Sequence, residues 1–362
     1  MRALPLEGQP TSADQHVLDV LAAVDCGGNV TIRTPAQVEE VSASCEIIQG
    51  SLNITNSLYE SATVSGVRVI KGGIFHTNHI YDTDSGYPKV YSLKFPDLLA
   101  VEGDLQFSDS ITSEIEFPKL RVVNGTVWFS ELTKRVDLRS LEYVGAFDVS
   151  GYEITLEEVN LDSLKGFAEG APDGGYVRSR AVSAPVAQKA FFSRPLQPAS
   201  DDLWPSIDYR ADSYGGSLGI SWPRINRLQI SQGYNSDRYS TYVTLGGEDS
   251  TSMEIRNLTL VSNVGPLSRH SQLQDLTVGY FELFCSQDHS LEILFDNLAE
   301  FVNLCWDWVP TNITWPKKAE NWNGLSVTSK TQLNLTANST WYWPQEMRVL
   351  NLTKGDVHDD FL

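Results

Sequence analysis

The sequence predicts a mainly β protein: a right-handed β-solenoid with short capping helices. Two observations predict it. A phrase of about 22 residues recurs along the chain, each copy placing apolar residues at every second position around a glycine, and a helix-capping sequence between two cysteines precedes the first copies. With 362 residues, of which 41% are hydrophobic, the chain is long and apolar enough to bury a substantial core.

The repeat is clearest where the phrases FPDL and VEGDLQF of residues 95–107 return as FPKL and VNGTVWF in residues 117–129. Shorter copies occupy 48–54 and 70–76, and looser ones extend to Leu164. Alternating apolar residues turn one face of a short strand inward, but a unit this small cannot bury that face alone. Residues 25–167 are therefore predicted to stack as parallel coils, which fits the even spacing better than separate hairpins do.

The opening of the stack carries a predicted cap. Thr34-Pro35-Ala36-Gln37 is a capping box with proline at the first helical position, which predicts a helix from Pro35 to Ser44. A disulfide between Cys26 and Cys45 would close a loop of about 20 residues, contribute about 3 kcal/mol and hold the cap over the open edge. A further short helix is predicted within residues 12–24 of an N-terminal extension, 1–24.

The spacing from Gly72 to Gly103 is 31 residues, nine more than the repeat, which predicts a loop over 77–88. Residues 168–206 lose the pattern and are predicted to form an irregular, exposed excursion or linker, and 207–362 a second, degenerate solenoid half. Leucines and other apolar residues at helical spacing predict an amphipathic helix over 290–304. Cys285 and Cys305 bracket it, which predicts a second disulfide-bonded cap, with free buried thiols of a cytosolic protein as the alternative.

The cysteine-bracketed cap and the following repeats resemble a receptor L-domain, and more closely the fungal L-domain family of cell-wall organisation proteins, which includes sporulation-specific and GPI-anchored surface members. The resemblance is good over residues 24–167 and extends to 207–360 only in the general style of the sequence. It implies a leucine-rich-repeat-like β-helix, heavily N-glycosylated, that supports wall assembly at the cell surface without catalysing a reaction.

Glycosylation acceptors exceed chance. The 18 Asn and 60 Ser+Thr residues predict about three Asn-x-Ser/Thr sequences, and the chain has eight. We expect a glycosylated extracellular protein, with a Thr- and Asn-rich cytosolic protein as the alternative. The predicted sites are Asn29, Asn53, Asn124, Asn257, Asn312, Asn334, Asn338 and Asn351.

The net charge of −19 argues against nucleic acid or anionic lipid as partners, because both are polyanions. No apolar window is long enough for a transmembrane segment. The N-terminal residues lack the apolar core of a secretory signal, and the C-terminal residues lack an anchor signal, so these two family features are not expected here.

Three patterns are candidates for chemistry. His76, His79, Asp82 and Asp84 could hold a divalent ion, but a solvated loop is the preferred interpretation and no metal or other cofactor is predicted. The acids at strand positions, Glu102, Asp104 and Glu116, are scattered, which argues against a polysaccharide lyase or hydrolase site. Six tryptophans near the C-terminus could stack on sugar rings or form a hydrophobic cap: Trp306, Trp308, Trp315, Trp322, Trp341 and Trp343.

We therefore predict a non-enzymatic, glycosylated cell-surface protein that supports fungal cell-wall organisation by binding on the faces of its sheets. Its expected partners are wall polysaccharide or other surface proteins. The alternatives are a wall-glycan-binding or glycan-active β-helix protein that uses the tryptophan-rich end, and an intracellular repeat protein that binds other proteins.

Overall fold

The chain divides into two compact units. Unit 1 comprises Met1–Ala146 and Asn160–Pro172, and unit 2 comprises Phe147–Val159 and Asp173–Leu362. The computed structural model describes residues 25–55, 61–77, 92–108, 114–129, 133–149, 156–180, 182, 184–211, 216–232, 241–261, 264–284, 291–292, 295–303, 313–314, 325–329 and 350–354. Among these residues, no helix has the length and apolar character needed to cross a membrane.

The first part of the chain is built from short strands and one helix. The helix, α1, is Pro35–Ser44. The strands, in chain order, are β1 Asp25–Cys26, β2 Val30–Ile32, β3 Ile47–Ile48, β4 Leu52–Thr55, β5 Ala62–Thr63, β6 Val69–Ile70, β7 Ile74–Thr77, β8 Ser92–Lys94, β9 Ala100–Val101, β10 Leu105–Ser108, β11 Glu114–Glu116, β12 Val122–Phe129, β13 Arg135–Asp137, β14 Tyr143–Val149, β15 Glu158–Asn160 and β16 Gly166–Phe167.

The repeats of unit 1 stack as parallel strands in the predicted register. One row of directly paired residues runs through Cys26, Ile48, Ile70, Val101 and Val123. Three of the four steps are 22 residues, and the step from Ile70 to Val101 is 31 because it contains the longer interval noted in the sequence. The last four side chains of the row are fully buried. A mainly β chain with long parallel sheets is therefore confirmed for the described residues.

A second row, four residues further along each repeat, contains Leu52, Ile74, Leu105 and Val127. All four side chains have no exposed surface. Strands β5, β8, β11 and β13 are neighbours in a separate parallel sheet that also contains β15. Phe95 and Phe117, which follow β8 and β11, stack at 4.9 Å between ring centroids. The apolar face that a single repeat cannot bury is thus covered by the repeats before and after it.

A ladder of glycines lets the turns of successive repeats approach closely. The amide of Gly72 donates to the carbonyl of Gly50 (2.9 Å), and the amide of Gly103 donates to the carbonyl of Gly72 (3.0 Å). A Cβ atom on Gly103 would lie 2.8 Å from backbone atoms of Gly72 and Gly73. Only glycine fits there, because the obstacle is backbone and cannot rotate away.

The rest of the chain contains longer strands: β17 Tyr176–Arg180, β18 Ser206–Ala211, β19 Gly216–Ile220, β20 Arg224–Gln232, β21 Thr241–Leu245, β22 Ser252–Val261, β23 Val264–Arg269, β24 Asp275–Phe284, β25 Leu291–Glu292, β26 Asn297–Asn303, β27 Ile313–Thr314, β28 Leu325–Ser329 and β29 Leu350–Lys354. Two short helical segments follow β17, namely helix α2, Ala184–Ala187, and a π-helical turn, Gln188–Phe192. A 3₁₀ turn, Pro172–Gly174, precedes β17.

Unit 2 also stacks its strands in parallel, in the order β17, β18, β20, β22, β24 and β26, and a smaller parallel sheet contains β19, β21 and β23. The paired residues at the centre of the larger sheet are Val177, Ile207, Leu228, Leu258, Phe281 and Phe301. The steps between them range from 20 to 30 residues, which explains why the sequence period is weak in this half.

The prediction of an irregular, exposed segment over 168–206 is wrong for much of its length. Strand β17 pairs with β18 in unit 2, and Phe191 and Phe192 of the π-helical turn are fully buried. Phe192 packs against the ring of Trp222, whose indole N–H donates to the carbonyl of Phe191 (3.0 Å). The Ala-, Pro- and Ser-rich composition predicted an exposed segment although it contains two aromatic residues, Phe191 and Phe192, that belong to the core.

The predicted amphipathic helix over 290–304 is also wrong. Strand β25 begins at Leu291, and β26 pairs in parallel with β24 through Leu298 opposite Val278. Apolar residues three and four positions apart also arise when two strands are joined by a bend, and the edge of β24 offers backbone partners to β26. The predicted helix within 12–24 and most of the loop over 77–88 lie outside the described residues.

Candidate functional site

The predicted disulfide between Cys26 and Cys45 is present, with a Cα–Cα distance of 5.4 Å. It ties β1 to the C-terminal end of helix α1, whose limits are as predicted. Thr34 caps that helix by accepting the Gln37 amide (3.4 Å), and the Gln37 side chain accepts the amide of Arg33 (2.7 Å). The capping box therefore forms with one difference: the Gln37 side chain accepts the amide of Arg33, the residue before the cap, and not the amide of Thr34 itself.

Four of the predicted glycosylation sites have described side chains. Asn29, Asn124 and Asn257 are exposed, and Asn53 is half-buried in β4. Asn29 accepts the amide of Ser51 (2.8 Å), and the side-chain nitrogen of Asn257 donates to a backbone carbonyl. Asn351 lies in β29 without a described side chain, and Asn312, Asn334 and Asn338 lie outside the described residues.

The six tryptophans between 306 and 343, together with Cys285 and Cys305, also lie outside the described residues. The predicted sugar-stacking surface and the second disulfide therefore stay predictions. Among the residues that the structure describes, no group of three or more His, Cys, Asp or Glu side chains comes together as a metal site would require. His79, Asp82 and Asp84 are not among them.

His76 belongs to the stack, as its position in the repeat predicts. It pairs with Ile54 on one side and Phe107 on the other, and its side chain is 2% exposed. The imidazole meets the Phe107 ring edge-on at 6.3 Å between centroids. Burial penalises the charged imidazolium and lowers the pKa of His76 from 6.5 to about 4.

This lowered pKa predicts an acid-sensitive unit 1. Between pH 6.5 and 4 the unfolded chain binds a proton at residue 76 and the folded chain does not, so the free energy of unfolding decreases as the pH is lowered through that window. We expect acidification from pH 7 to pH 5 to cost the wild-type protein about 2 kcal/mol more than the His76→Leu variant. Urea denaturation at both pH values measures the difference, and equal losses in the two proteins would contradict it.

The acids noted at strand positions are engaged by neighbouring repeats. The Lys94 ammonium contacts Glu116 at 2.7 Å, and the carboxylate of Asp104 accepts the amide of Thr126 at 2.7 Å. Glu102 forms an ion pair with Lys71. Each contact joins adjacent repeats along the stack. We call these three contacts, made by Glu116, Asp104 and Glu102, the charged ladder.

A polar cleft in unit 2 is large enough to hold a small ligand. Its volume is about 290 Å³, at the lower end of the range for small-molecule sites. The strands β19 and β21, the π-helical turn and the loop 246–250 form its walls. The lining residues are Gln188, Ser193, Pro195, Gly219, Ser221, Thr244, Gly246, Gly247, Glu248, Asp249, Ser250 and His270.

Hydrogen bonds between side chains and the backbone hold the walls of this cleft in place. Gln188 accepts the amide of Gly219 through its side chain at 2.5 Å, which joins the π-helical turn to β19. The Ser250 hydroxyl donates to the carbonyl of Ser221 (3.2 Å), which closes the loop onto the end of β19. Gly246 has φ of +89°, a backbone conformation that favours glycine. The cleft is thus a formed feature with side-chain hydroxyls and carboxylates around it.

No signal in the sequence pointed to this cleft, because its residues come from five separate segments without a shared motif. No family model, no curated protein and no solved structure matches this chain.

Proposed function

We propose that this protein is a non-catalytic, glycosylated binding protein of the fungal cell surface, built as a right-handed β-solenoid of the receptor L-domain type. Its role would be to support wall organisation by holding wall polysaccharide or another surface protein on a rigid face. The observation that carries the proposal is the parallel row from Cys26 to Val123, closed at its first end by the Cys26–Cys45 disulfide.

The disulfide supports an oxidising compartment, because such bonds are rare in cytosolic proteins and common in secreted ones. The exposure of Asn29, Asn124 and Asn257 supports glycosylation, since an acceptor must be accessible to carry a glycan. The glycine ladder and the charged ladder support rigidity: neighbouring repeats contact through backbone and paired side chains. A rigid face loses little conformational entropy when it binds a polymer.

The proposal predicts occupied glycosylation sites on protein from its natural source. Enzymatic removal of N-glycans converts each occupied Asn to Asp, and we expect this conversion at Asn124 and Asn29, with Cys26 and Cys45 oxidised. Intact mass before and after the enzyme, followed by peptide mass spectrometry, measures both. Asn226, which is outside any acceptor sequence, is the internal control and must stay unconverted.

Unmodified acceptors together with reduced Cys26 and Cys45 would overturn the surface assignment and favour an intracellular repeat protein that binds other proteins. The second candidate, a glycan-binding protein, is favoured by one observation of its own, the polar cleft of unit 2. Both candidates place the protein at the cell surface. The second differs in that its ligand is specified as a glycan.

A further inference from the structure

We infer that the polar cleft of unit 2 binds a saccharide, with the ring of Tyr242 as the stacking surface beside it. The inference deepens the proposed function and rests on it for the source of the ligand, a wall polymer. It places sugar binding at strands β19 and β21, on residues other than the tryptophans that the sequence analysis considered.

Strand β21 brings the ring and the cleft together. Val243 and Leu245 have no exposed surface, so they point into the core, and the alternate residues Tyr242 and Thr244 lie on the opposite face. Thr244 lines the cleft. Tyr242 is two positions away on the same face, about 7 Å along the strand.

Tyr242 is unusual in its exposure. At 56% it is one of two large apolar residues that are exposed in the described part of the chain, the other being Leu203 at 49%. An exposed aromatic ring offers an apolar face, and a sugar ring presents its C–H groups to such a face while its hydroxyls bond to polar neighbours. The cleft supplies those neighbours.

The cleft lining suits a ligand with many hydroxyl groups. Ser193, Ser221, Thr244 and Ser250 contribute hydroxyls to the lining. The Ser193 and Ser250 hydroxyls donate to backbone carbonyls and the Thr244 hydroxyl shares a hydrogen bond with that of Ser268, so their remaining lone pairs can accept from a ligand. The Gln188 side-chain oxygen accepts the Gly219 amide, which leaves its NH₂ group as a donor toward the cleft. Such mixed donors and acceptors match sugar hydroxyls, which have the same dual character. At about 290 Å³ the cleft holds a small group, so a polymer would enter it with a single unit or its end.

The charges of the lining exclude anionic ligands and leave neutral or cationic sugars. Glu248 and Asp249 are exposed carboxylates at the rim, and neither Lys nor Arg lines the cleft. A phosphate or carboxylate ligand would face these two negative charges without a Lys or Arg to compensate them. A neutral glucose unit and a glucosamine unit with its ammonium group share the required hydroxyls, and the two carboxylates would favour the second.

Calorimetric titration with three soluble probes tests the inference: β-1,3-linked glucose hexamer, N-acetylglucosamine hexamer and glucosamine hexamer. We expect the intact chain to bind at least one of them, and Tyr242→Ala to weaken that binding about tenfold. Leu203→Ala is the matched control, because it removes the other exposed apolar side chain and should leave the affinity unchanged. Both positions are exposed, so neither variant should disturb folding, which circular dichroism checks.

A second pair of variants identifies the sugar. Glu248→Gln/Asp249→Asn should weaken glucosamine hexamer by tenfold or more and change the affinity for the neutral hexamers less than threefold. Glu254→Gln/Asp275→Asn, at exposed positions of β22 and β24, removes the same two charges outside the cleft and is the control. Equal losses for all three probes would overturn the role of the carboxylates.

Binding of none of the three probes, or equal affinity of wild type and Tyr242→Ala, would overturn the inference. These failures are distinct from failure of the proposed function. Occupied glycosylation sites and an oxidised Cys26–Cys45 pair without probe binding leave the surface assignment intact. The protein could also bind a probe through Tyr242 while its acceptors are unmodified and its cysteines reduced. That result would support the saccharide site and overturn the assignment to the cell surface.

Discussion

Gly103→Ala lowers the free energy of unfolding of unit 1 by about 3 kcal/mol. The added Cβ would lie 2.8 Å from the Gly72 carbonyl carbon and the Gly73 nitrogen, closer than any ordinary contact. Both obstacles belong to the backbone of the neighbouring repeat, so relief requires the two repeats to separate. Separation weakens the hydrogen bond from the Gly103 amide to the Gly72 carbonyl and loosens the buried row beside it. Urea denaturation measures the loss.

Gly27→Ala is the matched control for this substitution. A Cβ at position 27 has no atom within 4 Å and requires no left-handed backbone, so the same change should alter stability by less than about 1 kcal/mol. Hydrogen exchange at the amides of Leu105 and Val127 shows whether the Gly103 variant opens at the predicted place. Similar effects at positions 27 and 103 would refute the close approach of the repeats.

Replacing both Cys26 and Cys45 by serine lowers the free energy of unfolding by about 3 kcal/mol, because the bond closes a loop of about 20 residues in the unfolded chain. The two cysteines are 19 residues apart. Without the bond, helix α1 keeps its own cap at Thr34 but loses its covalent connection to β1. We expect the amides of β2, next to the open end of the row, to exchange faster with solvent than those of β10.

Cys285→Ser/Cys305→Ser provides the comparison for the first cysteine pair. It removes the same number of sulfur atoms at positions that are not in unit 1, so the exchange of β2 amides should not change. The Cys26→Ser/Cys45→Ser variant could instead keep the wild-type stability and the wild-type exchange rates in β2. That result would show that the disulfide does not stabilise the cap.

Prediction from sequence succeeded where local rules and the tertiary arrangement agree. The capping box placed helix α1 from Pro35 to Ser44, because caps act through contacts within four residues. The 22-residue period placed Val101 opposite Val123, because equal repeats can share one interior only in one register. His76 followed from the same register, although its burial cost could not be read from the sequence.

Prediction failed where the repeat length varies. In unit 2 the steps between paired residues change from 30 at Val177 and Ile207 to 21 at Ile207 and Leu228, so no single offset aligns the strands. Without a constant repeat length to align the strands, the prediction for unit 2 depended on local amino-acid composition. Pro and Ser residues suggested a linker around buried Phe191, and leucines at helical spacing suggested a helix where β26 lies.

The sequence by itself determined the strand alternation, the register of the first repeats, the capped helix and the cysteine pair that closes it. All of these depend on neighbours along the chain or on one constant period. Only the tertiary structure decided that Gln188 meets Gly219 across 31 residues and that Tyr242 stays exposed beside a polar cleft. Such contacts arise because packing the core brings distant segments to one surface, and no local preference of those segments encodes where they will meet.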